Sequence, residues 1–475
     1  MLFNSIHFLI FFPIVYLLYW TVTGKSLKGQ NLLVLLASYY FYGSWDWRFL
    51  SLLIIITVLN FYAGLKISQT ASEKIKKRIL TLSIVFNLTC LGFFKYFNFF
   101  IDSWVSLWHI FGYQMPVTTL EIVLPIGISF YTFHTMSYTI DVYRGVVPAT
   151  KKLVDFSCFV AFFPQLVAGP ISRARDVLPQ FSVQRVFDYN NAINGLTLIF
   201  WGLFKKVVVA DNIGLYVSHM FNTPHIYSSS NVIIAIFLYA FQIYGDFSGY
   251  SDIAIGASLM MGIRLTQNFR QPFFSKSLAE FWQRWNISLS TWFYDYLFNS
   301  IVIAKRHWGK MAIVFGLTVT FLVSGLWHGA GWKFIVYGLI HGVFLTFLFL
   351  TTSFRKKISK VIPKGLNSAF SILFTFAFVD FTYIFFRSAS WDIIREIFHT
   401  IGLMNFSPFA VELFTLVKLF VLVFLLIIAD IIIYFDLHKK MLRTTFSKAL
   451  VIVFIITSMV LAGSFQGNQF IYFKF

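Results

Sequence analysis

The stretch GWKFIVYGLIHGVFLTFLFLT, residues 331–351, decides the class of fold to which this chain belongs. It contains one Lys and one His, and it has no Asp, Glu or Arg. A helix needs about 20 predominantly apolar residues to cross the hydrocarbon core of a bilayer. This stretch is therefore predicted to form a transmembrane helix.

Similar apolar runs recur along the whole chain, although some of them are short or interrupted. They cover residues 6–22, 31–44, 48–68, 79–99, 122–142, 153–168, 192–219, 231–262, 311–327, 367–386, 416–435 and 448–465. No basic segment precedes the first run, so we expect a retained span and not a cleaved signal peptide. Together the runs predict about 11 spans.

The composition excludes the common classes of soluble protein. Of the 475 residues, 58% are hydrophobic, 12% are charged and 61 are Phe, with a mean hydropathy of +0.74. Soluble domains carry about twice that share of charge, and a soluble fold of this size could not bury so much apolar surface. We therefore expect an all-α, polytopic bundle of transmembrane helices and exclude a cytosolic enzyme, a disordered chain and a fibrous repeat.

Two segments are predicted to depart from simple spans. Pro164, Gly169 and Pro170 interrupt one apolar run, which favours a half-span or a re-entrant turn. Residues 277–298 mix Trp and Tyr with charged side chains. That mixture is typical of a helix that lies at the membrane interface or lines a cavity.

The charge pattern predicts the orientation of the chain. The excess of 38 Lys and Arg over 19 Asp and Glu, a net charge of +19, is typical of cytoplasmic loops and of contact with anionic lipid, so no nucleic acid is expected. Lys25 and Lys28 follow the first span, which places the N-terminus outside the cytoplasm. The basic clusters within 74–78, 355–364 and 439–443 are then cytoplasmic candidates.

Three histidines are candidates for chemistry. His328 lies in WHGAGW, residues 327–332, where Trp327 precedes it and glycines would allow a substrate to approach closely. Its imidazole could act as a general base near neutral pH, and a histidine at a wet helix end is an equally good interpretation. His341 follows 13 residues later, which is not a metal-binding spacing. His134 is a further buried candidate, more often a satisfied core histidine.

The second candidate segment is YGDFSGYSD, residues 244–252. It combines the carboxylates of Asp246 and Asp252 with Ser248 and Tyr250. Carboxylates inside a membrane protein are costly, so they are usually paired or functional. The somewhat stronger interpretation is a structural network of hydrogen bonds, here called the structural knot, that fixes a helix break. The chain has neither the P-loop pattern of nucleotide hydrolysis nor a G-x-S-x-G nucleophile turn.

The third candidate segment is FWQRWNISLS, residues 281–290. Asn286, after Arg284 and Trp285, could orient a carbonyl group or a histidine by hydrogen bonding. By composition alone, an interfacial aromatic belt is the better interpretation. The two cysteines, Cys90 and Cys158, lie in apolar stretches, so neither a disulfide framework nor a metal site is expected.

Taken together, these segments resemble the alginate-O-acetyltransferase branch of the membrane-bound O-acyltransferase family. The matching stretches are FFPQLVAGP (162–170), WGLFKK (201–206), DFSGYSD (246–252), 280–290 and SGLWHG (324–329), with a further likeness over 4–20 and 31–47. The likeness covers most of the chain and weakens after about residue 390. It is specific because several long segments occur in the same order.

The resemblance implies a fold and a site. It implies a helical bundle with a funnel on one face and a narrow tunnel from the other. His328 corresponds to the family's invariant active-site histidine, and the second active-site position corresponds to Asn286. Relatives of the alginate and D-alanyl-transfer types usually carry His at that second position, and Arg where this chain has Tyr294. Asp246, Ser248, Tyr250, Asp252, Arg284, Trp285, Trp327 and His341 are expected to bind substrate or support the site.

The resemblance also implies an activity. We expect an acetyltransferase in the bacterial inner membrane, with cytoplasmic acetyl-CoA as donor, no tightly bound cofactor or metal, and an extracytoplasmic esterase-like partner protein that completes transfer to a polysaccharide. D-alanyl transfer to teichoic acid and, in another class, a transporter or a structural scaffold remain alternatives. One integral-membrane domain is expected over 1–475, with N-terminal spans (6–120), a catalytic core (121–350) and C-terminal spans (351–475).

Overall fold

The computed structural model describes residues 1–115, 117, 119–167, 169–406, 413–465 and 470–471, and within these ranges the secondary structure is helical, without a β-strand. The α-helices in chain order are α1 Ile6–Thr21, α2 Leu27–Gly43, α3 Arg48–Gln69, α4 Glu73–Leu91, α5 Phe97–Ile110, α6 Ile128–Tyr143, α7 Leu153–Ala161, α8 Phe163–Leu166, α9 Ala174–Val177, α10 Tyr189–Leu203, α11 Asp211–Asn222, α12 Ser229–Met260, α13 Leu278–Arg284, α14 Ile287–Phe293, α15 Asn299–Ala304, α16 Lys310–His328, α17 Trp332–Leu350, α18 Thr352–Val361, α19 Lys364–Arg387, α20 Trp391–Gly402, α21 Leu413–Tyr434, α22 Leu437–Met441 and α23 Thr445–Ala462. Segments of π-helix cover Gly92–Tyr96, Phe204–Ala210 and Tyr294–Phe298, and 3₁₀ turns cover Leu178–Ser182, Pro224–Ile226, Pro272–Phe274 and Arg306–Trp308.

The predicted class of fold, a polytopic bundle of membrane helices, is confirmed. Among the described residues, nine helices are long and apolar enough to cross a membrane. They are Arg48–Gln69, Glu73–Ile110, Tyr189–Asn222, Ser229–Met260, Lys310–His328, Trp332–Leu350, Lys364–Arg387, Leu413–Tyr434 and Thr445–Ala462. The sequence predicted about 11 spans because it contains four further apolar runs. In the structure these runs form helices that are shorter than the nine spans, namely α1, α2, α6 and α7, of 16, 17, 16 and 9 residues.

The chain forms two compact units. The first comprises residues 1–196 and 254–266, and the second comprises residues 197–253 and 267–475. The chain passes between them three times: within α10, within α12 and after residue 266. The predicted division of one integral-membrane domain into N-terminal spans, a catalytic core and C-terminal spans stays a prediction.

In the first unit, buried polar side chains connect segments that are far apart in sequence. The hydroxyl of Tyr19 donates to the carbonyl oxygen of Met261 (3.0 Å) and accepts from Nε of Arg185 (2.7 Å). The amide of Asn31 donates to the carboxylate of Asp155 (2.8 Å). These bonds satisfy polar groups that are sheltered from water, so they help to hold the unit together.

The interruption predicted at Pro164 occurs in the same unit. Helix α7 ends at Ala161 after nine residues, and the four-residue α8 follows with Pro164 in its first turn. His134 lies beside this interruption, fully buried, and its Nε2 accepts a hydrogen bond from the backbone N–H of Ser172 (3.2 Å). This hydrogen bond agrees with a structural role for His134, which stays a prediction.

In the second unit, helix α17 has its apolar face outside. Its exposed large side chains are Trp332, Leu339, Val343, Phe347 and Leu350. Its buried residues include Tyr337, Gly338, His341 and Gly342. This arrangement is the reverse of a soluble amphipathic helix. It is the arrangement expected of a helix surrounded by lipid, where polar side chains face the protein interior.

Helices α16 and α17 cross at two glycines. The Cα atom of Gly325 would lie 3.0 Å from a Cβ atom placed on Gly338, and that Cβ would also overlap the carbonyl oxygen of Phe321. Small residues allow such close approach between helices in a membrane. The crossing fixes the end of α16, and that end carries His328.

We expect Gly338→Ala to destabilise the protein by about 1–3 kcal/mol, because the added methyl group overpacks the crossing. Gly365→Ala is the matched control, since Gly365 also lies in a helix but has no neighbour within 4 Å of a Cβ. The measurement is the melting temperature of each purified variant in detergent. Equal melting temperatures would contradict a packed crossing at Gly338.

Candidate functional site

His328 is the last residue of α16, where it is enclosed by aromatic rings. The glycine that follows has an extended backbone (φ −169°, ψ 154°), so the helix ends at the histidine. The ring centroid of His328 lies 5.1 Å from that of Trp327, 5.2 Å from Phe386 and 6.0 Å from Tyr337. The side chain of His328 is 2% exposed. The structure therefore places the imidazole inside the protein and not at a wet helix end.

His341 is fully buried and makes a hydrogen bond with each ring nitrogen. Its Nδ1 lies 3.3 Å from Nε1 of Trp282, and its Nε2 lies 3.1 Å from Oγ1 of Thr382. Indole N–H can only donate, so Nδ1 must accept and must be unprotonated. The proton of the neutral ring is then on Nε2 and is donated to Thr382, whose own hydroxyl bonds to the carbonyl oxygen of Val379 (2.6 Å).

These bonds determine what His341 can do chemically. His341 has no free lone pair to act as a base, and it connects α13, α17 and α19 through its partners. The ring of Tyr337 contacts both histidines, at 6.0 Å from His328 and 4.6 Å from His341. His341 thus supports the wall that encloses His328.

Asn286 occupies a sharp turn between two short helices. The predicted helix over 277–298 is interrupted here: α13 ends at Arg284, Trp285 is extended, and Asn286 is left-handed (φ 42°, ψ 54°). Asn and His are among the residues that best tolerate this conformation. Asn286 is buried, and within the described residues its Nδ2 donates no hydrogen bond to a protein acceptor.

The turn at Asn286 is held by a second asparagine and by a chain of rings. Oδ1 of Asn268 accepts from the hydroxyl of Ser288 (2.8 Å), and the carbonyl oxygen of Asn268 accepts from the N–H of Ile287 (2.9 Å). The ring of Trp285 lies 6.1 Å from Tyr383, which contacts Phe386 at 6.4 Å. Since Phe386 contacts His328, a continuous series of aromatic rings joins the two predicted active-site positions.

Arg284 supports this turn from outside. Its guanidinium forms an ion pair with Glu280 (2.8 Å), donates to the carbonyl oxygen of Arg270 (3.3 Å) and lies over the ring of Tyr434 (5.4 Å). All of these partners belong to the protein. The position of Arg284 therefore favours support of the turn over direct contact with substrate.

Asp246 and Asp252 are paired with lysines in the protein interior. Lys206 bonds to Asp246 (2.7 Å) and to Asp211 (2.8 Å). Lys205 pairs with Asp252 (2.6 Å) and donates a hydrogen bond to the hydroxyl oxygen of Ser248 (2.9 Å). The interpretation of this segment as a structural knot agrees with these contacts.

The expectation that the knot lies at a helix break is wrong. Helix α12 continues through residues 244–252 without interruption, and the distortion is in the partner segment, where Phe204–Ala210 forms a π-helix. Gly249 allows the close approach, because its Cβ would lie 2.7 Å from the carbonyl oxygen of Gly202. The π-helix carries both lysines, and each of them bonds to a carboxylate of α12.

Further residues join this cluster near the C-terminus. The second oxygen of Asp246 accepts from the backbone N–H of Ile471 (2.7 Å), and Tyr250 stacks on Phe470 at 4.5 Å. Tyr244 donates to Asp430 of α21 (3.0 Å). The sequence did not single out Lys205, Lys206, Asp211 or Asp430 as site residues. The sequence did contain a signal for this cluster, because Lys205 and Lys206 are adjacent inside an apolar run. Buried cations require acidic partners, so the two lysines indicate that carboxylates lie nearby.

The structure does not bring all predicted site residues into one constellation. Trp327, His328 and His341 belong to the enclosure, and Arg284, Trp285 and Asn286 form the adjoining turn. Asp246, Ser248, Tyr250 and Asp252 belong to the ion-pair cluster instead. No group of three or more His, Cys, Asp or Glu side chains suited to a metal ion occurs in the part of the chain that the structure describes.

Comparison with known families decides the classification. The model of MBOAT, the membrane-bound O-acyltransferase family, matches residues 34–386. This chain belongs to that family. The family predicted from the sequence is thereby confirmed, and the predicted O-acyltransferase activity stays a prediction.

Several curated proteins of this family are similar to the chain. The probable alginate O-acetylase AlgI of Pseudomonas syringae pv. tomato is 43% identical over 346 residues, 73% of this chain and 65% of that protein. The peptidoglycan O-acetyltransferase of Helicobacter pylori is 33% identical over 421 residues, covering 82% and 78%. The teichoic acid D-alanyltransferase of Bacillus subtilis is 32% identical over 270 residues, covering 55% and 68%. The chain thus spans just under two thirds of the length of the first of these relatives.

The ion-pair cluster yields a prediction about stability. Replacing Lys206 by Met leaves Asp211 and Asp246 without their shared cation, which should cost roughly 3–5 kcal/mol. Arg395→Met is the control, because Arg395 pairs with Asp392 on the surface, where both side chains are about 80% exposed. Melting temperatures in detergent measure both effects. A K206M protein as stable as the control variant would contradict a structural role for the cluster.

The hydrogen bonds of His341 yield a second prediction. His341→Ala should lose about 1–3 kcal/mol of stability and reduce transfer, because Trp282 and Thr382 lose their partner. His341→Gln should restore much of both, since a carboxamide can accept from the indole and donate to the hydroxyl. A His341→Gln protein that is stable but inactive would contradict this account, because it would show that the imidazole itself takes part in the reaction.

Proposed function

We propose that this protein transfers acetyl groups from cytoplasmic acetyl-CoA toward the O-acetylation of a polysaccharide outside the cytoplasmic membrane. The observation that carries the proposal is the imidazole of His328 at the enclosed end of α16. The relatives named for alginate and peptidoglycan O-acetylation support the acetyl group and the glycan.

In this mechanism His328 acts as the general base. The neutral imidazole takes the proton of the acceptor hydroxyl while the hydroxyl oxygen forms a bond to the thioester carbonyl carbon. The carbonyl oxygen becomes an oxyanion, and Nδ2–H of Asn286 donates to it. The C–S bond then breaks, and the imidazolium returns the proton to the departing thiolate. Atoms and charge balance without a metal ion.

The geometry of α17 supports a reaction that joins the two sides of the membrane. His328 precedes the first residue of α17, whereas the basic helix α18 follows its last residue. A helix of 19 residues is about 28 Å long, which is close to the thickness of the hydrocarbon core. If α18 is cytoplasmic, as its cations favour, His328 lies toward the opposite face. Because His328 is 2% exposed, the enclosing rings must move to admit substrate.

The location and the partner follow from the same proposal. The multi-pass protein would lie in a bacterial inner membrane, and an extracytoplasmic esterase-like protein would complete transfer to the glycan. D-alanyl transfer is the second candidate, because one relative carries that name. A transporter is disfavoured, since Asp246 and Asp252, its expected coupling carboxylates, already pair with lysines.

Transfer should depend on His328. We expect His328→Ala to insert and fold normally but to lose transfer by a factor of about 10²–10⁴. His307→Ala is the control, because His307 is an exposed histidine outside the enclosure. The measurement is O-acetyl content of the polysaccharide in cells that carry each variant. Undiminished acetylation by H328A would refute the assigned role.

The donor is tested with purified membranes. We expect label from acetyl-CoA to reach the glycan or the partner protein, and no label from a D-alanylated carrier protein. Supply of acetyl-CoA only to the cytoplasmic face of sealed vesicles tests the direction of transfer. Labelling from the carrier alone would favour D-alanyl transfer and overturn the proposed acyl group.

A further inference from the structure

A cavity of about 480 Å³ lies at the end of the second unit where α17, α18 and α19 meet. We call it the basic cavity. Cations line it from two sides: Lys276 precedes α13, and Arg355 and Lys356 belong to α18. This volume is within the range of ligand pockets in proteins. The cavity lies at the end of α17 that is remote from His328.

The charge of the basic cavity is one-sided. Its lining contains three cations and no Asp or Glu. Within the described residues, the hydrogen bonds of Arg355 go to Thr351 (Nε to Oγ1, 3.4 Å) and to the carbonyl oxygen of Leu348 (2.6 Å). A guanidinium has five N–H donors, so three remain for an anion. The cavity can therefore neutralise a negatively charged group.

The cavity also has an aromatic wall that is open to the surroundings. Phe347, Phe370 and Phe374 line it and are all about half or more exposed. The hydroxyl of Ser371 and the amide of Asn367, both on α19, also line the cavity. A free phosphate ion would leave the aromatic wall uncovered. A ligand with a charged head and an apolar tail would cover both parts.

The position of α18 matches such a ligand. This helix is amphipathic and basic, with Phe354 and Ile358 among its apolar residues, and it connects two candidate membrane spans. A basic amphipathic helix in that position lies along the membrane interface. Basic clusters beside transmembrane helices attract anionic headgroups. The basic cavity is thus placed at the depth of the phospholipid headgroups.

We propose that the basic cavity is a binding site for an anionic phospholipid. The headgroup phosphate contacts Arg355, Lys356 and Lys276, and an acyl chain lies along the phenylalanines of α17 and α19. This inference concerns a surface remote from His328 and holds whether or not the proposed transfer reaction is correct.

The test is retention of lipid by the full-length protein. The wild type, purified in mild detergent, is incubated with equal amounts of phosphatidylglycerol and phosphatidylcholine, and bound lipid is counted by native mass spectrometry. We expect phosphatidylglycerol to be retained preferentially. The double variant R355Q/K356Q should bind it at least about tenfold more weakly, because two cations near the headgroup are lost.

Two further variants distinguish lipid binding in the basic cavity from non-specific attraction of lipid to the positive charge of the protein. The variant K439Q/K440Q removes two cations of α22 that do not line the cavity, and it should bind lipid like the wild type. Ser371→Phe fills the cavity without changing charge and should also weaken binding. Melting temperatures confirm that each variant is folded, and His328-dependent transfer is assayed separately so that its failure is not confused with loss of lipid.

Two results would overturn the proposal. The first is equal retention of both lipids, or unchanged retention by R355Q/K356Q. The second is displacement of the phosphatidylglycerol by acetyl-CoA at micromolar concentration, which would assign the basic cavity to the phosphates of the acyl donor.

Discussion

The absence of water from the hydrocarbon core is the constraint on which this structure depends. Polar side chains there must find partners within the protein, and the second unit shows two solutions. Lys205 and Lys206 pair with carboxylates of α12, which fixes the π-helical segment against that helix. His341 joins Trp282 to Thr382, which fixes three helices around one imidazole. Elsewhere apolar residues face outward, as on α17.

These polar contacts determine the role of His341. His328 and His341 both lie among aromatic rings and both are buried. Both nitrogens of His341 are used by Trp282 and Thr382, so that ring has a fixed tautomer and a supporting role. His328 ends its helix, and the glycine that follows it has an extended backbone. The supporting role of His341 thus follows from its hydrogen-bond partners and not from its residue type.

The same logic explains the position of Asn286. A left-handed backbone is required between α13 and α14, and Asn is one of the few residues that adopt it readily. Asn268 and Ser288 hold the turn from one side, and Trp285 connects it to the rings around His328. A small amide at this turn is thus carried by a rigid aromatic frame. Such a frame can hold the Nδ2 donor of Asn286 in place, although within the described residues this nitrogen has no protein acceptor.

Much of the fold was predictable from sequence because lipid imposes a simple length rule on helices. The long apolar runs became helices, and Pro164 correctly marked an interruption. The shorter runs were less predictable, since a helix of 16 or 17 residues within a bundle has the same composition as a span. The break at 285–286 and the π-helix at 204–210 left no clear pattern in the sequence. Both arise from packing against other segments.

For the candidate site, the sequence identified the residue types, and the structure showed which residues they contact. The apolar composition and the order of the motifs determined the class of fold, the family and the choice of His328 and Asn286. Only the tertiary structure showed that Asp246 and Asp252 pair with Lys206 and Lys205, and that His341 is held by an indole. Composition and residue spacing can be read directly from one amino-acid sequence. Ion pairs and tautomers depend on which groups meet across helices, and that is decided only when the bundle packs.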